Sequence, residues 1–98
     1  AQGEIKAAIA SYEEAIRINP DYAEANYNLG IALKNQGKEK EAIAAFKQAI
    51  RSNPNYSAAY VKLGSTLAEQ GKNDEAIAQL RTAIRVNPQD AEAYNNLG

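Results

Sequence analysis

Residues 23–56 read AEANYNLGIALKNQGKEKEAIAAFKQAIRSNPNY, and residues 57–90 read SAAYVKLGSTLAEQGKNDEAIAQLRTAIRVNPQD. The second stretch repeats the punctuation of the first at an interval of 34 residues. Leu29-Gly30 returns as Leu63-Gly64 and as Leu97-Gly98, and Gln2-Gly3, Gln36-Gly37 and Gln70-Gly71 keep the same step. Asn19-Pro20, Asn53-Pro54 and Asn87-Pro88 close successive units. Ala-Ile pairs recur at Ala8-Ile9, Ala42-Ile43 and Ala76-Ile77, and again at Ala15-Ile16, Ala49-Ile50 and Ala83-Ile84. Independent marks on one period identify a tandem array, each unit being one supersecondary element that stacks on its neighbours.

Each unit divides into two helices. Ala23–Gln36 carries Leu29, Gly30 and Leu33 along one helical face, and Gly37 supplies the left-handed conformation that ends a helix. Glu39–Ser52 carries Ala42, Ile43, Phe46, Ala49 and Ile50 at helical spacing, until Pro54 biases Asn53 away from the α region. Asp21 with Glu24 three residues later predicts a capping box. The recurrence of Gly30 at Gly64 predicts a close helix–helix contact, at which Leu is not tolerated and Ala is mild.

Working outward, residues 1–22 match a second helix without its first, 23–56 and 57–90 are full units, and 91–98 open a further one. The start at Ala1 without an initiator Met reads as a fragment or a processed chain, and an alternative to a scaffold in its own right is the docking array of a larger enzyme such as a glycosyltransferase. Composition narrows the function further. Apolar residues make up 45% of the chain, enough for a packed core. Eleven basic and twelve acidic residues are interspersed, giving a net charge of −1 and no footprint for nucleic acid or a membrane surface. With no Cys and no His there is no disulfide, no thiol or His-based catalysis and no usual zinc site. That composition is compatible with the reducing cytoplasm. No Gly-rich phosphate loop is present, and the acidic pairs Glu13-Glu14, Glu39-Glu41 and Asp74-Glu75 lie near helix ends with lysines close by. No catalytic residue, cofactor or metal site is expected.

The unit resembles the tetratricopeptide repeat. The marks are Leu29, Gly30, Ala42, Phe46, Ala49 and Pro54 in one unit, and Leu63, Gly64, Ala76, Leu80, Ala83 and Pro88 in the next. Tyr60 and Tyr94 fill the early bulky position, where the first unit departs with Asn26 beside Tyr27. The resemblance implies an all-α, right-handed superhelical solenoid whose concave face takes proteins or extended peptides.

Within each first helix the core stripe falls on the fourth, seventh, eighth and eleventh positions, so the remaining face is left open. The resemblance makes that face the ligand-facing one. It holds Glu24, Tyr27, Asn28, Ile31, Lys34 and Asn35, then Val61, Lys62, Ser65 and Glu69, then Asn95 and Asn96. Tyr27, Ile31 and Val61 are read as an exposed apolar set for a partner. Asn28 and Asn96 are placed to hydrogen-bond a peptide backbone, similar to the asparagine ladder of the O-linked N-acetylglucosamine transferase repeats, with Lys62 interrupting. Family members that grip the carboxylate tails of heat-shock chaperones use Lys, Asn, Asn, Lys and Arg at inner positions. Those positions hold Tyr27, Ile31, Lys62, Glu92 and Asn96 here, so that clamp is not expected. Ile9, Tyr12 and Ile16 form a stripe that a preceding first helix would cover, and 91–98 present Tyr94 and Leu97. The pairing of these ends predicts head-to-tail self-association.

Overall fold

The computed structural model describes residues 2–88, with the side chains from Gly3 onward. Among them five helices follow one another: α1 (Gln2–Ile18), α2 (Ala23–Asn35), α3 (Glu39–Ser52), α4 (Ser57–Glu69) and α5 (Asn73–Val86). Each packs on its neighbours in sequence, α1 on α2, α2 on α3, α3 on α4 and α4 on α5, giving a helical-repeat solenoid. At the 34-residue offset α2 matches α4, and α1 and α3 end where α5 does. The expectations for 91–98, including Tyr94, Asn95, Asn96 and Leu97, lie outside the described residues.

Two kinds of turn build the array. Between the helices of a pair, Gly37 and Gly71 take φ of 80° and 81°. The reversed backbone lets Lys38 N–H donate to the Leu33 carbonyl and Gly37 N–H to the Lys34 carbonyl, both at 2.9 Å. Lys72 to Leu67 and Gly71 to Ala68 repeat this, so both helix ends are satisfied by the Schellman pattern. Between pairs, the recurring Asn-Pro forms a different turn. Tyr22 N–H donates to the Asn19 carbonyl and Tyr56 N–H to the Asn53 carbonyl, each at 3.0 Å. The side-chain oxygens of Asn19 and Asn53 also accept from the amides of Asp21 and Asn55, each at 3.2 Å. Proline presets the turn and has no N–H, which leaves the Asn oxygen to reach the amide one residue further on. The expected Asp21–Glu24 capping box does not form: α2 begins from Tyr22, which makes no side-chain cap.

The core is wider than the sequence stripe. Leu33, Ala42, Ala45, Phe46, Leu63, Leu67 and Ala76 form one cluster, and Val61, Leu80 and Ala83 another. Ala25, Ala32, Ala59 and Thr66, at the third and tenth helix positions, are buried as well. Each first helix rests on its own second helix and on the preceding one, so two stripes are covered instead of one. The Thr66 hydroxyl is satisfied by donating to the Lys62 carbonyl at 2.7 Å.

Candidate functional site: the first-helix face

α2 and α4 each turn one face away from their second helices, and most of the anticipated residues stand there. Glu24, Asn35 and Glu69 are exposed, and Asn28, Ile31, Lys34, Lys62 and Ser65 are partly so. The two faces are tied together by Lys34 Nζ and Glu69 Oε1 at 2.8 Å, a pair spanning neighbouring first helices. The pair fixes which side of α2 meets which side of α4, and it removes both charges from the set of free anchors.

Two of the apolar members are differently employed. Val61 is buried, 1% exposed, against Leu80 and Ala83 of α5. Its β-branched side chain points into its own hairpin, so it leaves the partner-facing set. Tyr27 is half-buried between rings, 6.0 Å from Phe46 and 5.0 Å from Tyr56 between centroids. Such distances are those of attractive aromatic pairs, and Tyr27 serves chiefly as packing. Ile31, like Tyr27, is partly exposed and packs on the edge of the core.

Electrostatics add one constraint. Burial beneath Tyr27 pushes the Tyr56 phenol above its ordinary pKa, and the Glu24 carboxylate adds to the rise. Tyr56 is therefore a neutral hydroxyl at pH 7. The outer, second-helix surface carries Lys47, Arg51 and Arg81, all exposed. Among the described residues no group of acidic side chains is placed to hold a metal ion, and no helix is long and apolar enough to cross a membrane.

The uncovered stripe expected on the opening helix contributes Tyr12 to a cleft whose other lining residues the sequence reading did not place there. Glu4, Ile5, Ala8 and Tyr12 of α1 face Asn28, Ile31, Ala32 and Asn35 of α2 across an open space of about 260 Å³. The signal was available in the period: Ala8 and Tyr12 are 34 residues before Ala42 and Phe46, both wholly buried under α2.

Comparison with known proteins agrees with this architecture. A TPR repeat model matches residues 1–37 and 64–98, and two tetratricopeptide repeat models match 23–56 and 45–78. No curated protein matches the sequence. Among solved structures, the MamA protein superposes with a TM-score of 0.88 at 32% identity, over 95% of this chain and 51% of its own. The first TPR of Spaghetti (RPAP3), bound to the HSP90 peptide SRMEEVD, gives 0.90 at 25% identity, over 98% of this chain and 76% of its own. YrrB, a TPR protein described as having an unusual peptide-binding site, gives 0.86 at 26% identity over 96% and 48%. The present chain thus spans about half the length of the MamA and YrrB chains. With the 34-residue period, the two turn types and the family models in agreement, the chain belongs to the tetratricopeptide repeat family.

Proposed function

We propose that the first-helix face of α2 and α4 is a docking groove for an extended peptide segment of a protein partner, and that the chain catalyses nothing itself. The observation that carries this is the row of partly exposed side chains Asn28, Ile31, Lys62 and Ser65, aligned across two first helices joined by Lys34 and Glu69. Amide, hydroxyl and ammonium groups on a rigid helical scaffold supply hydrogen bonds to a peptide backbone, and Ile31 supplies an apolar contact. The peptide bound in one similar structure and the peptide-binding site named for another support the reading. Among the described residues of this row Lys62 is the one basic side chain, so the reading invokes no clamp for a peptide's carboxylate terminus.

The test begins with peptides selected from a random display library against the intact 98-residue chain. Asn28→Ala with Lys62→Ala should weaken their binding by about tenfold or more, which corresponds to about 1.4 kcal/mol. Lys47→Ala with Arg81→Ala should leave affinity within about twofold, and both proteins should keep the parent's helical circular dichroism. Loss confined to the Lys47 and Arg81 protein would place the site on the opposite surface.

A further inference from the structure

One charged group of the first-helix face is left unanswered by the fold. Lys34 and Glu69 pair with each other and Arg17 pairs with Glu14, but no basic side chain among the described residues pairs with Glu24. Its carboxylate is exposed in the first turn of α2, and the nearest basic residues in sequence, Arg17 and Lys34, are both engaged. A carboxylate in a first turn complements the helix dipole. The helix does not need it for that: α4 begins with Ala58 in the place of Glu24 and has no acidic residue in its first turn.

What sets α2 apart is the aromatic wall beside this carboxylate. Tyr27 stands three residues after Glu24, on the same helical face. Its ring lies 5.0 Å from Tyr56, tilted by 37°, and 6.0 Å from Phe46. Phe46 is wholly buried, so the two phenol rings are held from below while both stay partly exposed. The carboxylate is felt at this wall, since its charge adds to burial in holding the Tyr56 phenol above its ordinary pKa. One period on, Val61 is buried in the place of Tyr27, so the described residues hold this combination once. Its residues come from α2 and the turn into α4, both packed on α3 and away from either end of the chain.

We infer that Glu24, Tyr27 and Tyr56 form a seat for a basic side chain of the docked peptide, with arginine preferred to lysine. A guanidinium can meet a carboxylate with two N–H donors while lying against a phenol ring, whereas an ammonium is a point charge that holds its water more tightly. The rings exclude water from one side of the ion pair and so strengthen it over a fully solvated one. Asn28 and Ile31 follow Glu24 along the same face, so the seat opens onto the groove row. A seat that occurs once also fixes which peptide residue stands over which helix, and amides that bind a peptide backbone do not. The inference rests on the groove reading, because the basic side chain arrives on the peptide that docks there.

Peptides selected from a random display library on the intact chain are the probes. They should share one fixed basic position, filled by arginine more often than by lysine. Citrulline in place of that arginine keeps the shape and removes the charge. It should weaken binding about tenfold to the parent and less than about twofold to the Glu24→Gln protein, whose helical circular dichroism should be unchanged. Added salt should narrow the difference between arginine and citrulline. Lysine in the same place should cost about threefold against the parent, a preference that Tyr56→Leu should erase and Tyr56→Phe should keep. Glu24 is exposed, so its cycle decides alone if Tyr56→Leu does not fold. Selected peptides with no fixed basic position, or a citrulline loss equally large against Glu24→Gln, would overturn the seat. If those peptides still lose affinity with Asn28→Ala and Lys62→Ala, the groove stands without it. An arginine coupled to Glu24 in peptides indifferent to Asn28 and Lys62 would uphold the seat and overturn the groove.

Discussion

The two hairpins share a backbone and close their cores with different chemistry. In α2/α3 the seal is aromatic: Phe46 is wholly buried, Tyr27 packs on it and Gly30 lies beneath its ring. In α4/α5 the corresponding place is aliphatic, with Leu80 against Gly64 and Val61. The fourth position differs in the same way. Asn26 Nδ2 donates to the Pro20 and Tyr22 carbonyls at 3.4 and 3.2 Å, whereas the Tyr60 hydroxyl donates to the Pro54 carbonyl at 2.9 Å. Pro20 and Pro54 are equivalent, so an amide and a phenol play the same part, since each satisfies a carbonyl of the turn that delivers its helix. What the repeat preserves is a contact at a position, and the side chain that makes it is free to change.

Breaking the aromatic seal should have the largest effect. Phe46→Ala should cost about 4 kcal/mol, and Leu80→Ala about 3 kcal/mol, measured by urea denaturation. An equal or reversed order would mean that the aromatic seal is not the stronger of the two. The glycines sharpen the contrast. A methyl on Gly30 would lie 2.5 to 3.0 Å from three atoms of a ring that Tyr27 also presses. A methyl on Gly64 would lie 2.8 Å from Leu80 Cγ and 3.2 Å from the Ala76 carbonyl. Gly64→Ala is thus not the mild change that helix propensity predicts. Overpacking should outweigh the ~1 kcal/mol propensity gain at both sites, by about 2 kcal/mol at Gly30 and about 1 kcal/mol at Gly64. Phe46→Leu should then relieve Gly30→Ala in a double-mutant cycle, because it gives the first hairpin the second one's seal. Additive losses would show that ring and glycine do not oppose each other.

A smaller difference lies at the hairpin ends. Ser57 Oγ donates to the Ala83 carbonyl at 3.2 Å, while the first unit has Ala23 in that place. Ser57→Ala should cost about 1 kcal/mol and Ala23→Ser should change little unless it acquires the matching bond to Ala49. The smallest effect belongs to Lys34 and Glu69. A cycle with Lys34→Met and Glu69→Gln should return a coupling of about 0.5 kcal/mol that shrinks with added salt, because Glu69 is half exposed to solvent.

The fold was legible because its signals are local and repeated. Period, helix pairing and the Gly37 and Gly71 turns follow from where Gly, Pro and the apolar residues fall. The face was legible in part. A single-helix stripe cannot register a second neighbour, so it left Ala25, Ala32, Ala59 and Thr66 outside the core and put Val61 on the groove. The ring packing of Tyr27 was not legible for a related reason: its partners Phe46 and Tyr56 lie 19 and 29 residues away, out of reach of any helical periodicity. The capping box failed because Asn19 already satisfies the amide of Asp21 and sets where the turn ends.

The groove assignment is tested most directly by mapping backbone amide chemical shifts while a library-selected peptide is titrated into the isotopically labelled chain. Perturbations should concentrate on α2 and α4, at Glu24, Asn28, Ile31, Lys62 and Ser65, and should spare Lys47, Arg51 and Arg81. Shifts that instead trace the outer faces of α3 and α5, leaving Asn28 and Lys62 unmoved, would contradict it.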